Sequence, residues 1–293
     1  MARASATARP GLLYLVGTPI GNLEDVTLRA LRVLREVDLI AAEDTRVTRK
    51  LLARYDIHTP VTSYHENSPP RKLESLLRRL RGGANIAAVS DAGMPGISDP
   101  GADLVAACLA EGIAVTAIPG PTALMTALVL SGLPTDRFSF HGFLAAAKET
   151  RRKALANLVA RGETLLFYEA PHRLEECLGD MLEILGDRRA AAARELTKVH
   201  EEVVRGRLSE LRAHFAAHEP RGEITLMIEG VVAAAGPAVD FNQAVAEVLR
   251  VVGEGASLRD AARQVAESTG HPRRSLYQAA LGARRSGKEE LAQ

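Results

Sequence analysis

The stretch Ile86-Ala87-Ala88-Val89-Ser90-Asp91-Ala92-Gly93-Met94-Pro95-Gly96-Ile97-Ser98 decides the reading of the fold, because a short apolar run breaks in it into a polar loop rich in glycine and proline. A run of this length and composition reads as a buried β-strand, and a loop at the carboxyl end of a strand is where an open α/β sheet takes its ligand. The same break recurs three times. Leu12 to Val16 runs into Gly17-Thr18-Pro19-Ile20-Gly21-Asn22, Val115 to Ile118 into Pro119-Gly120-Pro121-Thr122-Ala123, and Leu165 to Tyr168 into Glu169-Ala170-Pro171-His172-Arg173. Four strand ends are therefore expected to converge on one small-molecule site.

Outward from these loops, residues 11–132 alternate strand-like and helical patterns, with strands near 12–16, 38–42, 86–90 and 113–118 and helices near 26–36, 44–54, 70–81, 101–111 and 121–131. Such alternation predicts an α/β domain with a mostly parallel sheet and helices on both faces. A break at Leu133-Pro134-Thr135-Asp136 opens a second α/β domain over 133–230, which repeats the alternation with strands near 138–143, 163–169, 190–195 and 223–229 and helices near 148–161, 172–185 and 207–218. An Ala/Gly/Pro stretch over 231–239 reads as a linker. Residues 240–285 then form a tail of three short helices, Phe241 to Val252, Leu258 to Glu267 and Arg273 to Ala283, which resembles a helix-turn-helix module. Arg273, Arg274, Arg284, Arg285 and Lys288 crowd its end, but the acidic residues of the tail nearly balance its basic ones. Contact with RNA and a structural cap both stay open for it.

At 293 residues the chain is long enough for two core domains and a small appendage. Hydrophobic residues at 46% and charged residues at 25% are ordinary for a soluble globular protein. No apolar run approaches the roughly 18 residues of a spanning helix, and residues 1–10 lack the apolar core of a signal peptide and read as a disordered leader. A cytoplasmic protein without membrane contact is expected. Cys108 and Cys177 fall in helical patterns with no ligand-spaced partner, so they read as core positions and no metal is expected. A net charge of +1 argues against nucleic-acid binding through bulk positive charge. Basic clusters remain at Arg46, Arg49, Lys50 and Arg54, along Arg71 to Arg81, and at Lys148, Arg151, Arg152 and Lys153. Each alone reads as a solvated helix face, and together they allow a basic path over a neutral surface. The chain has neither a Gly-x-Gly-x-x-Gly fingerprint nor a Gly-Lys-Ser/Thr phosphate loop, so dinucleotide and nucleoside triphosphate readings lose their support.

The motifs Gly17 to Leu23, Ala42-Glu43-Asp44-Thr45-Arg46, Ser90 to Gly101 and Glu169 to Arg173, in this order, resemble those of the tetrapyrrole methylase superfamily, the class III S-adenosylmethionine-dependent methyltransferases. Their wording is similar to the branch that methylates a cytidine 2′-oxygen in 16S rRNA. The resemblance covers residues 11 to about 230 and extends to the tail. It implies two α/β domains with a cofactor cleft between them, S-adenosyl-L-methionine as cofactor, the small ribosomal subunit as partner, and a homodimer. It also implies that Pro19, Ala92, Gly93, Met94, Ile97, Thr122, Ala123, Tyr168 and Thr225 line the cofactor pocket.

Methyl transfer to a ribose hydroxyl needs a group that takes the hydroxyl proton during attack. Glu43, Asp44, Glu66, Asp91, Glu195 and Lys198 are the candidates; Asp44 and Asp91 rank first because both stand at strand ends facing the expected cleft. Asp44 could equally cap the helix that follows it, and Asp91 could brace its own loop. Arg46, Arg173, Arg194 and Lys198 are candidates for RNA phosphate, since the planar guanidinium suits phosphate oxygens; surface ion pairs are the alternative. Base stacking would fall to Tyr64, Phe143 or Tyr168 in a chain without Trp. Two rival readings are carbon methylation of a tetrapyrrole precursor and a metabolite-sensing regulator that binds nucleic acid through its tail.

Overall fold

The apolar runs read from the sequence become the central strands of two five-stranded sheets. The computed structural model describes residues 9–218, 220–231 and 239–290, the last six as backbone only; most of the expected leader and linker lies outside the described residues. The first sheet contains β1 (Leu12–Val16), β2 (Leu39–Ala42), β3 (Val61–Ser63), β4 (Ile86–Val89) and β5 (Ala114–Ile118), in the order β3-β2-β4-β1-β5 with every pair parallel. All five carboxyl ends therefore lie along one edge. Every residue of β2 and β4 is buried, as expected when both faces of a parallel sheet are covered.

Alternate residues along these strands feed two cores. Ile40, Ala42, Ala87 and Val89 pack with α1 (Leu28–Glu36) and α2 (Thr45–Arg54). Leu39, Ala41, Ile86 and Ala88 pack with α3 (Pro70–Arg81) and α4 (Ala102–Ala110). Cys108 is fully buried in the second of these cores.

The second sheet contains β6 (Phe138–Phe143), β7 (Thr164–Glu169), β8 (Arg189–Arg194), β9 (Glu202–Arg207) and β10 (Ile224–Ile228), in the order β6-β7-β10-β8-β9. Only β6 and β7 are parallel; the other pairs are antiparallel, so the second half does not repeat the topology of the first. One face packs on α6 (Lys148–Ala156), α7 (Leu174–Leu185) and α8 (Leu208–Ala217), and holds Cys177. The other face receives α5 (Ala123–Ser131), whose Leu124, Ala127 and Leu128 join Leu166, Ala191, Ala193 and Met227. This helix precedes the break at Leu133 yet packs on the second sheet, so the two sheets form one compact unit that ends at Gly230.

One basic cluster proves structural. Arg151 on α6 is fully buried and pairs with Asp180 at 2.7 Å and Glu176 at 2.8 Å, while Arg152 holds Asp180 at 2.9 Å and Glu183 at 2.5 Å. The remaining residues form a second compact unit of α9 (Phe241–Gly253), α10 (Leu258–Thr269) and α11 (Arg273–Glu290). Its own core contains Ala244, Val248, Val251, Ala261, Val265 and Leu276.

Candidate active site

At the carboxyl edge of the first sheet, the loop after β1 meets the loops after β4 and β5. A Cβ on Gly17 would stand 2.7 Å from the Gly120 Cα and 2.7 Å from the Met94 Sδ. Glycine is the one residue that lets the β1 and β5 loops lie backbone against backbone. Thr18 and Gly93 exchange backbone hydrogen bonds of 2.9 and 3.1 Å, which ties the β1 loop to the β4 loop. Gly93 holds a left-handed φ of +87°, a conformation that a side chain would strain.

The carboxylates ranked first in the sequence build this edge. Asp44 caps α2, accepting from the Arg46 N–H at 2.7 Å, and forms an ion pair with the Arg46 guanidinium at 2.5 Å. That guanidinium holds the Asp44 carboxyl down at about 2. Asp91 accepts from the Asp44 N–H at 2.9 Å, and its own N–H donates to Glu43 at 3.1 Å. Burial pushes both Asp91 and Glu43 up, the more so because they stand beside each other's charge or that of Asp44. Asp44, Asp91 and Glu43 brace the loops and are not part of the cavity wall. Glu66 lies exposed in a turn, also away from the cavity.

The cavity, about 330 Å³, lies between the two sheets, within the size range of small-ligand sites. Ala92, Gly93, Met94, Ile97, Thr122, Ala123, Tyr168 and Thr225 all line it, brought together from both halves of the first unit. Pro19 is buried behind it, and its neighbour Ile20 supplies the wall instead. Thr122 caps α5 by accepting from the Met125 N–H at 3.1 Å, which leaves its hydroxyl hydrogen to donate elsewhere. Phe143, well exposed, stands against Tyr168 at a centroid distance of 5.6 Å. Tyr64 is buried and bonded to Asp103, so it is no stacking platform.

Asp99, Glu169 and Glu223 also line the cavity, and among the described residues no Lys or Arg does. A lining of carboxylates and apolar side chains suits a ligand that carries positive charge beside uncharged surface. Asp99 was not singled out in the sequence. It follows Ser98, which holds an uncommon left-handed φ of +59°. Burial, and then the charge of Glu43, push its carboxyl up to about 6, against a hydrogen bond from the Ser90 hydroxyl. The nearly inaccessible Glu169 accepts from the Ala170 N–H at 2.8 Å through Oε1. Its Oε2 accepts no hydrogen bond from a described N–H or O–H, and the Cys177 thiol is its neighbour.

The remaining candidates are spread around this centre. Lys198 and Glu195 pair at 2.8 Å, and Glu195 also accepts from the Glu223 N–H at 3.2 Å. Burial opposes both charges, but the pairing prevails, lowering Glu195 and raising Lys198. Neither is part of the wall; the pair supports it from behind Glu223. A Cβ on Gly222 would stand 1.9 Å from the Glu195 Oε1, which fixes the close fit of that support. Arg173 donates to the Leu144 carbonyl at 2.5 Å and lies 3.4 Å from Glu169, and Arg194 pairs with Glu202 at 3.0 Å. Both are largely buried and engaged within the fold. Arg46 alone of the four expected phosphate contacts is widely exposed, with 85% of its side chain accessible.

Two facing α/β halves with a loop-lined cavity between them are the architecture of a known class, and the chain belongs to it: residues 12–212 match the Tetrapyrrole (Corrin/Porphyrin) Methylases. Residues 240–285 match a second family, the RsmI C-terminal HTH domain. Within the class, the chain is 48% identical to the Ribosomal RNA small subunit methyltransferase I of Synechocystis sp. over 272 residues, 92% of this chain and 98% of that one. The protein of the same name from Thermotoga maritima is 50% identical over 220 residues, 75% of this chain and 99% of its own. Among solved structures, a cobalamin biosynthetic enzyme, cobalt precorrin-4 methyltransferase, shares the fold with a TM-score of 0.58 at 18% identity, over 74% of this chain and 94% of that one.

Proposed function

We propose that this chain transfers the methyl group of S-adenosyl-L-methionine to a cytidine 2′-oxygen of 16S rRNA in the small ribosomal subunit. The substrate rests on one observation above the others: kinship near 48% identity, over 92% of the chain, with a protein named as a small-subunit rRNA methyltransferase. The cobalt precorrin-4 methyltransferase shares only the fold, at 18% identity. Among the described residues no helix is long and apolar enough to cross a membrane. A cytoplasmic homodimer completes the reading.

Bound in the cavity, the cofactor would supply a methyl carbon made electrophilic by a sulfonium. Ile20, Met94, Ile97 and Leu124 offer apolar wall, while the Thr122 hydroxyl and loop backbone offer neutral hydrogen bonds. Asp99 is the base of this proposal. Its carboxyl, at about 6, is ionised near neutral pH yet more basic than an ordinary Asp, which suits it to accept the 2′-hydroxyl proton. Holding the two reactants in line supplies much of the remaining acceleration. Exposed Arg46 and Phe143 stand as contacts for the incoming RNA, through phosphate and base respectively.

Alkaline hydrolysis of rRNA labelled by the enzyme tests the position of transfer. A 2′-O-methyl group blocks cleavage of the adjacent phosphodiester, so the label should appear in an alkali-stable dinucleotide that begins with cytidine. Label in mononucleotides would contradict transfer to the ribose oxygen.

A further inference from the structure

The C-terminal unit neutralises some of its arginines and leaves others free. Arg250 pairs with Glu247 at 2.7 Å and with Glu254, and Arg263 lies 3.4 Å from Asp260. Arg259, Arg273 and Arg274 have no ion-pair partner among the described residues, and all three are exposed. They do not scatter. With Tyr277 they line one open recess between the first turn of α10 and the first two turns of α11. Asp260 is close enough to feel Arg259 and Arg273, but its carboxylate is held by the Ser257 hydroxyl at 2.6 Å and by Arg263.

The recess is firmly built. Gly270, at φ +75°, ends α10, and the His271 ring bonds the Val239 carbonyl at 2.7 Å and stands edge-on to Phe241 at 5.4 Å. Pro272 immediately precedes α11, and its carbonyl accepts from the Ser275 N–H at 3.0 Å and the Leu276 N–H at 3.1 Å, so Arg273 and Arg274 leave a fixed turn. Leu276 is fully buried in the core of the unit, which sets the rotation of α11 and faces the neighbouring Tyr277 outward, 37% exposed.

We propose that this recess binds a phosphodiester of the substrate RNA between Arg259 and the Arg273–Arg274 pair, with a flanking base laid on the Tyr277 ring. Guanidinium groups suit phosphate oxygens in two-point contact, and stacking on an aromatic ring tolerates any base. The proposal rests on the rRNA reading above and gives it a second contact, on the three-helix unit and not on the unit that holds the cavity. The unit is an addition to the catalytic fold: the Thermotoga maritima relative is nearly exhausted by its 220 aligned residues, too few for two such sheets and a three-helix unit as well. The recess therefore contributes affinity for RNA and takes no part in the transfer step.

The test uses the full-length protein with Arg259→Ala and Arg274→Ala combined, and separately Tyr277→Leu, both at exposed positions and both checked by circular dichroism. Binding to a 16S rRNA fragment is measured across a salt series, beside single-turnover methylation at saturating RNA and S-adenosylmethionine affinity. The double variant should bind RNA at least ten-fold more weakly at low salt, with a shallower dependence of log affinity on log salt, because fewer counterions are released. Tyr277→Leu should weaken binding about five- to fifty-fold without changing that slope. Saturated rate and cofactor affinity should stay within two-fold of wild type for both. An unchanged slope in the double variant, while wild type binds, overturns the recess alone, as does duplex DNA of equal length competing as well as rRNA. If wild type neither binds nor methylates rRNA, the functional reading falls and the recess with it.

Discussion

Asp99 and Asp44 have the same side chain, and their surroundings push them in opposite directions. Asp44 spends its charge on the start of α2 and on Arg46, which hold it down at about 2. Asp99 is half buried in the cavity wall near Glu43, at about 6. The methylation rate, limited by chemistry, should therefore rise with pH through about 6 and level off as Asp99 ionises. Asp99→Asn should lower the single-turnover rate by about 100-fold or more and flatten that profile, with cofactor affinity little changed. The stability sign runs the other way from activity. A carboxyl raised on folding favours the native state when protonated, and that advantage is lost as pH rises from the ordinary Asp range through about 6. At pH 8, Asp99→Asn should therefore leave the melting temperature unchanged or higher. Asp44→Asn should keep a rate near wild type, since Asn caps helices about as well as Asp. A wild-type rate for Asp99→Asn would remove it as the base.

The elements that make the site were legible where their sequence carried a period, and hidden where tertiary contact chose the residue. The strand-to-loop breaks at Val16, Val89 and Ile118 stood out as apolar runs ending in Gly and Pro, and each loop is at the cavity edge. Two strands were missed: β3 has three residues, and β9, Glu202-Val-Val-Arg-Gly-Arg, carries the charges typical of a sheet edge. The apolar α5 gave no sign of which sheet it would cover, and its choice of the second sheet joins the halves. Asp99 looked like one more polar loop residue; only the fold buries it beside Glu43. Lys198 and Glu195 were visible, but their pairing was not. The junction of the β1 and β5 loops gives a test at this scale. Gly120→Ala would place a Cβ 2.8 Å from the Gly17 Cα, a crowding expected to cost about 1–3 kcal/mol. Calorimetry should show cofactor affinity reduced at least ten-fold, whereas Gly253→Ala, with open space around it, should change nothing. Full affinity in Gly120→Ala would separate the cavity from the loop junction.

The molecule as a whole combines a compact two-sheet body, whose cavity presents carboxylates and apolar wall and no cation among the described residues, with a separate three-helix unit in which three unpaired arginines line one recess. A balanced net charge of +1 hides this division of labour, since the paired arginines of the body, such as Arg151 and Arg173, count the same as the exposed ones. The body suits a cationic methyl donor, and the additional unit suits an anionic polymer. The acceptor is small-subunit RNA and not a tetrapyrrole, although the fold also serves enzymes that methylate precorrins. The most direct measurement is transfer of tritium from labelled S-adenosylmethionine, with the purified full-length protein, to assembled small subunits, naked 16S rRNA and a tetrapyrrole precursor in parallel. Label is expected in 16S rRNA, stoichiometric with active sites in a single turnover, and none in the tetrapyrrole. Label in the tetrapyrrole, with both RNA substrates blank, would contradict it.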